Sequence, residues 1–201
     1  MADEIEKIFS LSPEIKEAIA KTNREAFVPI GFKHSAYKLD ALPLAGGQYI
    51  SSPLTVAKMT EYLFPRGADR VLEVGCGSGY QAAVLAQLFR GVFTIERIEP
   101  LLLEAKKRFK NLNIHNIHTR TDDGQNGWIS YAPYDRILFS ATAKEIPAKL
   151  FEQLADDGIL VAPMERNGKQ VIVRFIKNGE NIEEEELEDC DFVPVLDGVQ
   201  K

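Results

Sequence analysis

Apolar positions in the first sixty residues recur at helical spacing in two places. Ser12 is placed to cap a helix that Pro13 begins, with Ile15, Ala18 and Ile19 following on one face. Ser52 and Pro53 open another helix that runs to about Leu63. Between them, roughly from Phe27 to Ser52, the stretch FVPIGFKHSAYKLDALPLAGGQYIS follows neither a helical nor a strand period. A segment of that length inside a compact domain is usually functional. From Arg70 onwards short apolar runs alternate with helical patterns. VLEV (Val71 to Val74) reads as a buried strand before a helix from about Tyr80 to Leu88, and VFTIE (Val92 to Glu96) as a strand before a helix from about Pro100 to Leu112. IHTRT (Ile117 to Thr121) and YDRILFS (Tyr134 to Ser140) supply two more strands, and a helix around Ala148 to Leu154 leads through Asp157-Gly158 into ILVAPM. QVIVRFI then meets Asn178-Gly179, a hairpin turn signal. Strands alternating with helices and closing on an antiparallel hairpin predict a doubly wound α/β sandwich, with ligands bound at the carboxyl ends of its strands.

Length and composition narrow what such a sandwich does. A chain of 201 residues fits one domain, with residues 1–65 as a helical and loop region and 66–201 as the sheet. The net charge of −6 gives the surface as a whole no attraction for polyphosphate, so nucleic acid is not an expected partner. No apolar run approaches the ~20 residues that span a bilayer, so no membrane role is expected. The acidic start MADEIEKIFS does not read as a signal peptide, and the two cysteines, Cys76 and Cys190, read as reduced cytoplasmic thiols. His115 and His118 fall in a loop entering a strand, and no metal site is expected. The acidic run Glu183 to Glu186 reads as a solvated face or strand end.

The most informative stretch is RVLEVGCGSGYQAAVLA, where a buried strand runs into Gly75, Gly77 and Gly79 before a helix. A dinucleotide fingerprint carries its third glycine or alanine three residues after the second. Tyr80 occupies that position here, and the third glycine falls one residue early. Glu73 lies inside the strand, where an unpaired carboxylate is costly to bury. A cationic ligand nearby offsets that cost and a phosphate increases it. S-adenosylmethionine carries a sulfonium and an amino group and no phosphate. Glu96 ends the second strand, placed to accept from a ribose diol, and Asp123 after the third is placed to accept from an adenine amino group.

The sequence resembles the protein-L-isoaspartate O-methyltransferases from about Arg24 to Val199. The matching segments include REAFVP, GGQYISSPLTVAKMTEYL, VLEVGCGSGYQAAVLA, IERIEPL, DDGQNGW, APYDRILFSATAKEIP, DDGILVAPM and FVPVLDGVQ. The glycine loop marks only the broad class of S-adenosylmethionine-dependent methyltransferases, a Rossmann-like sandwich, whereas GQYISSP is far more specific. The resemblance implies transfer of a methyl group to the free α-carboxylate of L-isoaspartyl residues, and of D-aspartyl ones, in age-damaged proteins and peptides. S-adenosyl-L-homocysteine is then the product, and repair follows through a succinimide. By position, the active-site serine falls on Ser51. The ribose carboxylate falls on Glu96 with Arg97 beside it, and the adenine-side pair on Asp123 and Gly124. The resemblance also implies that Gly46, Gly47 and Gln48 close over the cofactor and that Val193, Pro194, Val195 and Leu196 form part of the substrate groove. Two positions depart from the family pattern: Tyr49 stands where threonine is usual and Asp122 where glycine is common.

The chemistry suits the residues present. A carboxylate acceptor with a pKa of about 4 is ionised at neutral pH and needs no general base. Alignment of oxygen, methyl carbon and sulfur is the chief requirement, and positioning is worth roughly 7–11 kcal/mol. Ser51, just before a predicted helix, is placed to orient that carboxylate, although capping or turn-making is the commoner use of such a serine. The alternatives are a small-molecule carboxyl or O-methyltransferase, a non-catalytic cofactor-binding module, and a nicotinamide oxidoreductase. FSATAKEIP after the fourth strand lacks the Asn/Asp-Pro-Pro-aromatic motif of nucleic-acid amino-methyltransferases.

Overall fold

The computed structural model describes residues 1–201. In chain order its elements are α1 (Ala2–Glu6), α2 (Pro13–Lys21), β1 (Leu42–Leu44), β2 (Gln48–Ile50), α3 (Pro53–Tyr62), β3 (Arg70–Val74), α4 (Tyr80–Leu85) and β4 (Gly91–Glu96). There follow α5 (Glu99–Asn111), β5 (Ile117–Thr121), β6 (Tyr134–Phe139), α6 (Ala148–Gln153), β7 (Leu154–Arg166), β8 (Lys169–Asn178) and β9 (Asn181–Asp189).

Seven strands form one sheet in the order β5-β4-β3-β6-β7-β8-β9. Pairings from β5 to β7 are parallel, and β8 and β9 join antiparallel, as the alternation and the Asn178-Gly179 turn predict. The chain winds outward from β3 through β4 to β5, then returns to lay β6 on the other side of β3. Strand order therefore reverses between β3 and β6, where doubly wound sheets open a ligand crevice. Alternation along β3 sends Val71 to one face and Leu72 and Val74 to the other. The first face packs under α2 to α5 through residues such as Ile15, Met59, Leu85 and Leu102, and the second under α6 through Leu150 and Tyr134. With both faces covered, the central strands are mostly apolar, and their buried polar residues are Glu73, Thr94, Glu96 and Arg136.

Two local features differ from the sequence reading. The loop-rich stretch contains a short hairpin, β1 with β2, pairing Leu42 with Ile50 and Leu44 with Gln48. Strands of three residues, one holding Pro43, are too short to print a period. The helix after the glycine loop ends at Leu85, because Gln87 and Leu88 donate to Val84 and Leu85 and tighten the chain into a turn. The acidic run lies within β9, an exposed edge strand where its charges discourage further pairing. His118 stacks on Phe93 with ring centroids 4.9 Å apart. No helix is long and apolar enough to cross a membrane.

Candidate active site

A cavity opens at the carboxyl ends of β3, β4 and β6, with about 880 Å³ of empty space including its mouth. Its floor is the glycine loop, where Gly75, Cys76, Gly77 and Ser78 line the wall, and Ser140 faces them from the end of β6. Gly79 lies just beneath with φ +89°, and a Cβ there would sit 2.6 Å from the Phe109 ring, so only glycine lets α4 start against α5. Gly124 also reaches the wall, and a side chain there would collide with Val74.

Glu96 ends β4 at the cavity with its carboxylate fixed by two backbone amides. Gly77 N–H donates to Oε2 at 2.8 Å and Ile98 N–H to Oε1 at 2.9 Å. A carboxylate has roughly four acceptor sites, so each oxygen retains one for a ligand hydroxyl. Glu73 is set apart from this surface. It is fully buried behind the loop, accepts from Thr94 Oγ1 at 2.5 Å through Oε2, and leaves Oε1 unpartnered. Burial pushes its pKa up to about 8; the Thr94 bond opposes that and the charge of Glu96 adds to it. The expectation of direct ligand contact therefore gives way to a buried carboxyl one layer below the cavity wall. Cys76, on the wall, is a free thiol whose pKa burial raises well above the usual range, with Glu73 adding to the effect.

Asp123 itself is not among the residues lining the cavity. Its Oδ1 accepts from Gln125 N–H at 3.0 Å and its Oδ2 from Gly198 N–H at 2.9 Å, while the neighbouring Gly124 forms the wall. Asp122, the departure from the usual glycine, accepts from the Asp123 amide at 2.8 Å and pairs with Arg120, so it stiffens this turn. Arg97 lines the cavity, but its guanidinium donates to the carbonyls of Gly198 (3.1 Å) and Asp197 (3.3 Å).

Those bonds hold the carboxyl-terminal segment as a strap across the mouth. Thr142 exchanges backbone bonds with Val193 and Val195, both 2.8 Å, and Gln200 pairs with Arg97 and Glu99. Val193, Pro194, Val195 and Leu196 all line the cavity. The opposite rim is the β1–β2 hairpin. Gln48 and Tyr49 lie on the wall, while Gly46 and Gly47 form the turn behind, with Gly46 close against Ile98. Ser51 follows β2 and also lines the cavity. Capping α3 is the work of Ser52, whose Oγ accepts from Thr55 N–H at 3.0 Å, so Ser51 is not needed for that purpose.

Sequence reasoning missed Tyr80, Ile98 and Ser140 on the wall. Ser140 was within reach, because it immediately follows a strand beside the switch point. Tyr80 is 1% exposed and carries the Arg24 guanidinium 4.6 Å from its ring centre. Arg24 itself is fully buried and donates through Nε to Ala36 O at 2.9 Å.

A family model described as protein-L-isoaspartate(D-aspartate) O-methyltransferase matches residues 1–200. The chain belongs to this family. A protein-L-isoaspartate O-methyltransferase of Helicobacter pylori (strain G27) is 58% identical over 201 residues, covering 100% of this chain and 96% of its own. Another, from Photobacterium profundum, is 45% identical over 185 residues, 92% of this chain and 88% of that protein. Among solved structures, a protein-L-isoaspartate O-methyltransferase superposes with a TM-score of 0.85 at 25% identity, over 96% of this chain and 65% of that one. A Plasmodium falciparum structure described as a beta-aspartate methyltransferase, in complex with S-adenosyl-L-homocysteine, has a TM-score of 0.86 at 22% identity, over 97% and 96% of the two chains. It shares the fold: the Rossmann-like methyltransferase sandwich with antiparallel final strands.

Proposed function

We infer that this enzyme transfers the methyl group of S-adenosylmethionine to the free α-carboxylate of L-isoaspartyl residues, and of D-aspartyl ones, in damaged proteins and peptides. The observation that carries the reading is the placement of Ser51 between two spaces, the switch-point cavity on one side and an open, hydroxyl-lined chamber on the other.

The cavity residues suit the cofactor. Glu96, held by two amides with acceptor sites left over, fits a ribose diol, and the loop at Gly75 and Gly77 lets a ligand rest on backbone. When bound, the cofactor would supply an electrophilic methyl carbon on its sulfonium, with the neutral thioether S-adenosyl-L-homocysteine as the leaving group. The chain's own residues position and exclude water. Ser51 donates to the acceptor carboxylate and orients it without forming a covalent bond. The strap from Val193 to Leu196 holds the peptide in extended form. Tyr49 and Gln48 cover the junction. Arg97 and Asp123 act through the strap they secure, and Glu73 acts from the layer below. Glu96, the one carboxylate on the wall, is assigned to the ribose, and an ionised acceptor needs no general base. Two free thiols, Cys76 and Cys190, suit a reducing compartment such as the cytoplasm.

Incubation with methyl-labelled cofactor and matched aspartyl and isoaspartyl peptides tests the reading. Label appears as a base-labile ester on the isoaspartyl peptide alone. Equal labelling of both, or none, overturns it.

A further inference from the structure

The chamber beyond Ser51 holds an uncompensated charge. It shares Tyr49, Ser51, Ser140 and Val193 with the cofactor cavity and is deepened by Thr55 and Asp191, with about 860 Å³ of empty space including its mouth. Its lining contains no lysine, arginine or histidine. The acids just upstream are paired: Glu188 accepts from Lys58 Nζ at 2.5 Å and from Tyr62 at 3.0 Å, and Asp189 lies 3.4 Å from Lys169. Asp191 has neither an ion pair nor a hydrogen bond.

The backbone on each side of Asp191 is fixed. Cys190 N–H donates to Gln170 O at 2.9 Å, Phe192 N–H to Gln170 Oε1 at 2.7 Å, and Gln170 Nε2 returns a bond to Phe192 O at 3.0 Å. Gln170 Oε1 also accepts from Thr142 Oγ1 at 2.7 Å. Asp191 is thus held at the chamber rather than on a free tail. Its field is felt locally: burial, with the carboxylates of Glu188, Asp191 and Asp189, pushes the Cys190 thiol up to about 12.

A carboxylate carried on a held backbone beside a site that receives a carboxylate is repulsive unless the substrate brings a compensating cation. We propose that the chamber is a flanking-residue subsite that takes a lysine or arginine side chain of the damaged peptide, with Asp191 as its counter-ion. The proposal rests on the isoaspartyl reading of Ser51 and adds a charge preference to it. Asp191 is solvent-exposed, so the preference is about two- to fivefold in KM and shrinks with salt.

The test uses the full chain and isoaspartyl peptides carrying lysine, glutamine or glutamate at one flanking position, moved through two places on each side. At one of these positions KM rises from lysine to glutamine to glutamate while kcat holds, and the order compresses at high salt. Asp191→Asn brings the lysine and glutamate peptides together, and Asp191→Lys reverses their order. Indifference to charge at every position, or the same order in Asp191→Asn, overturns the subsite while leaving the methyl transfer intact. A glutamine peptide left unmethylated overturns the isoaspartyl reading itself, and the subsite with it.

Discussion

Ser51 and Ser52 are adjacent hydroxyls with different duties. Ser52 is consumed in capping α3, and Ser51 points its chemistry at the two spaces it lines. A hydrogen bond to a charged group is worth about 1.5–3 kcal/mol, so Ser51→Ala is expected to cut kcat/KM for an isoaspartyl peptide about ten- to hundredfold. Affinity for S-adenosyl-L-homocysteine, measured by calorimetry, stays nearly unchanged; an unaltered methylation rate would remove Ser51 from the mechanism. Glu73 makes a different prediction because burial disfavours its charged form. Its folded pKa of about 8 lies above the ordinary carboxylate value, so the folded state binds this proton more tightly than the unfolded chain does. The sign follows: stability is fully present below the unfolded pKa, near 4.5, and falls as pH rises toward about 8. Each pH unit crossed in that window costs up to about 1.4 kcal/mol. Glu73→Gln, which resembles the neutral acid, is expected to flatten this decline between about pH 5 and 8.5 in urea denaturation. A variant with the wild-type slope would show that Glu73 is not the group responsible.

The strap is the element that most depends on long-range contacts. Gln170 on β8 acts as a side-chain strand partner, meeting both backbone groups of Phe192 and the hydroxyl of Thr142. Gln170→Ala frees the segment leading into Val193, and the expected result is a KM for isoaspartyl peptide raised roughly tenfold, with kcat changed less. Gln170→Glu keeps the acceptor and loses the donor, so its KM falls between the two; equal values for both variants would mean the side chain only fills space. Contacts of this kind explain which parts of the site are readable from sequence. The sheet, its order of elements and the glycine loop announce themselves through local period and turn residues, so β3, β4, β6 and the β8–β9 hairpin fall where the pattern places them. Ser51 and the groove residues come from the family resemblance, and the cavity includes them. The resemblance places Asp123 and Arg97 at the cofactor as well, but it does not show their bonds to the strap. Their partners, Gly198 and Asp197, lie about a hundred residues or less downstream and meet them only once the strap is folded back. Glu73 is readable as a costly burial but not as a residue behind the wall, because its hydrogen-bond partner, Thr94, comes from the paired strand β4.

At the scale of the whole molecule, both ends of the chain close on one crevice. The amino-terminal region contributes the β1–β2 hairpin and Ser51, the central sheet the floor, and the carboxyl-terminal strap the opposite rim. The strap is tied to the sheet through Arg97, Asp123, Thr142 and Gln170, and all three parts touch the cavity. A ligand in the cavity contacts all three and is therefore expected to stabilise the fold as a whole rather than one loop. Binding to the folded state alone adds about 2.7 kcal/mol at a ligand concentration about one hundred times Kd. For a domain of this size each kcal/mol is worth about 2–4 °C, so saturating S-adenosyl-L-homocysteine should raise Tm by about 5–10 °C. Arg97→Ala removes the guanidinium that clasps Asp197 and Gly198, and with it part of the coupling between strap and sheet. The expected signature in differential scanning calorimetry is a small fall in Tm without ligand and a visibly smaller ligand-induced rise. If the rise is as large as in the wild type, the strap does not share in holding the cofactor, and its place in the site is confined to the peptide side.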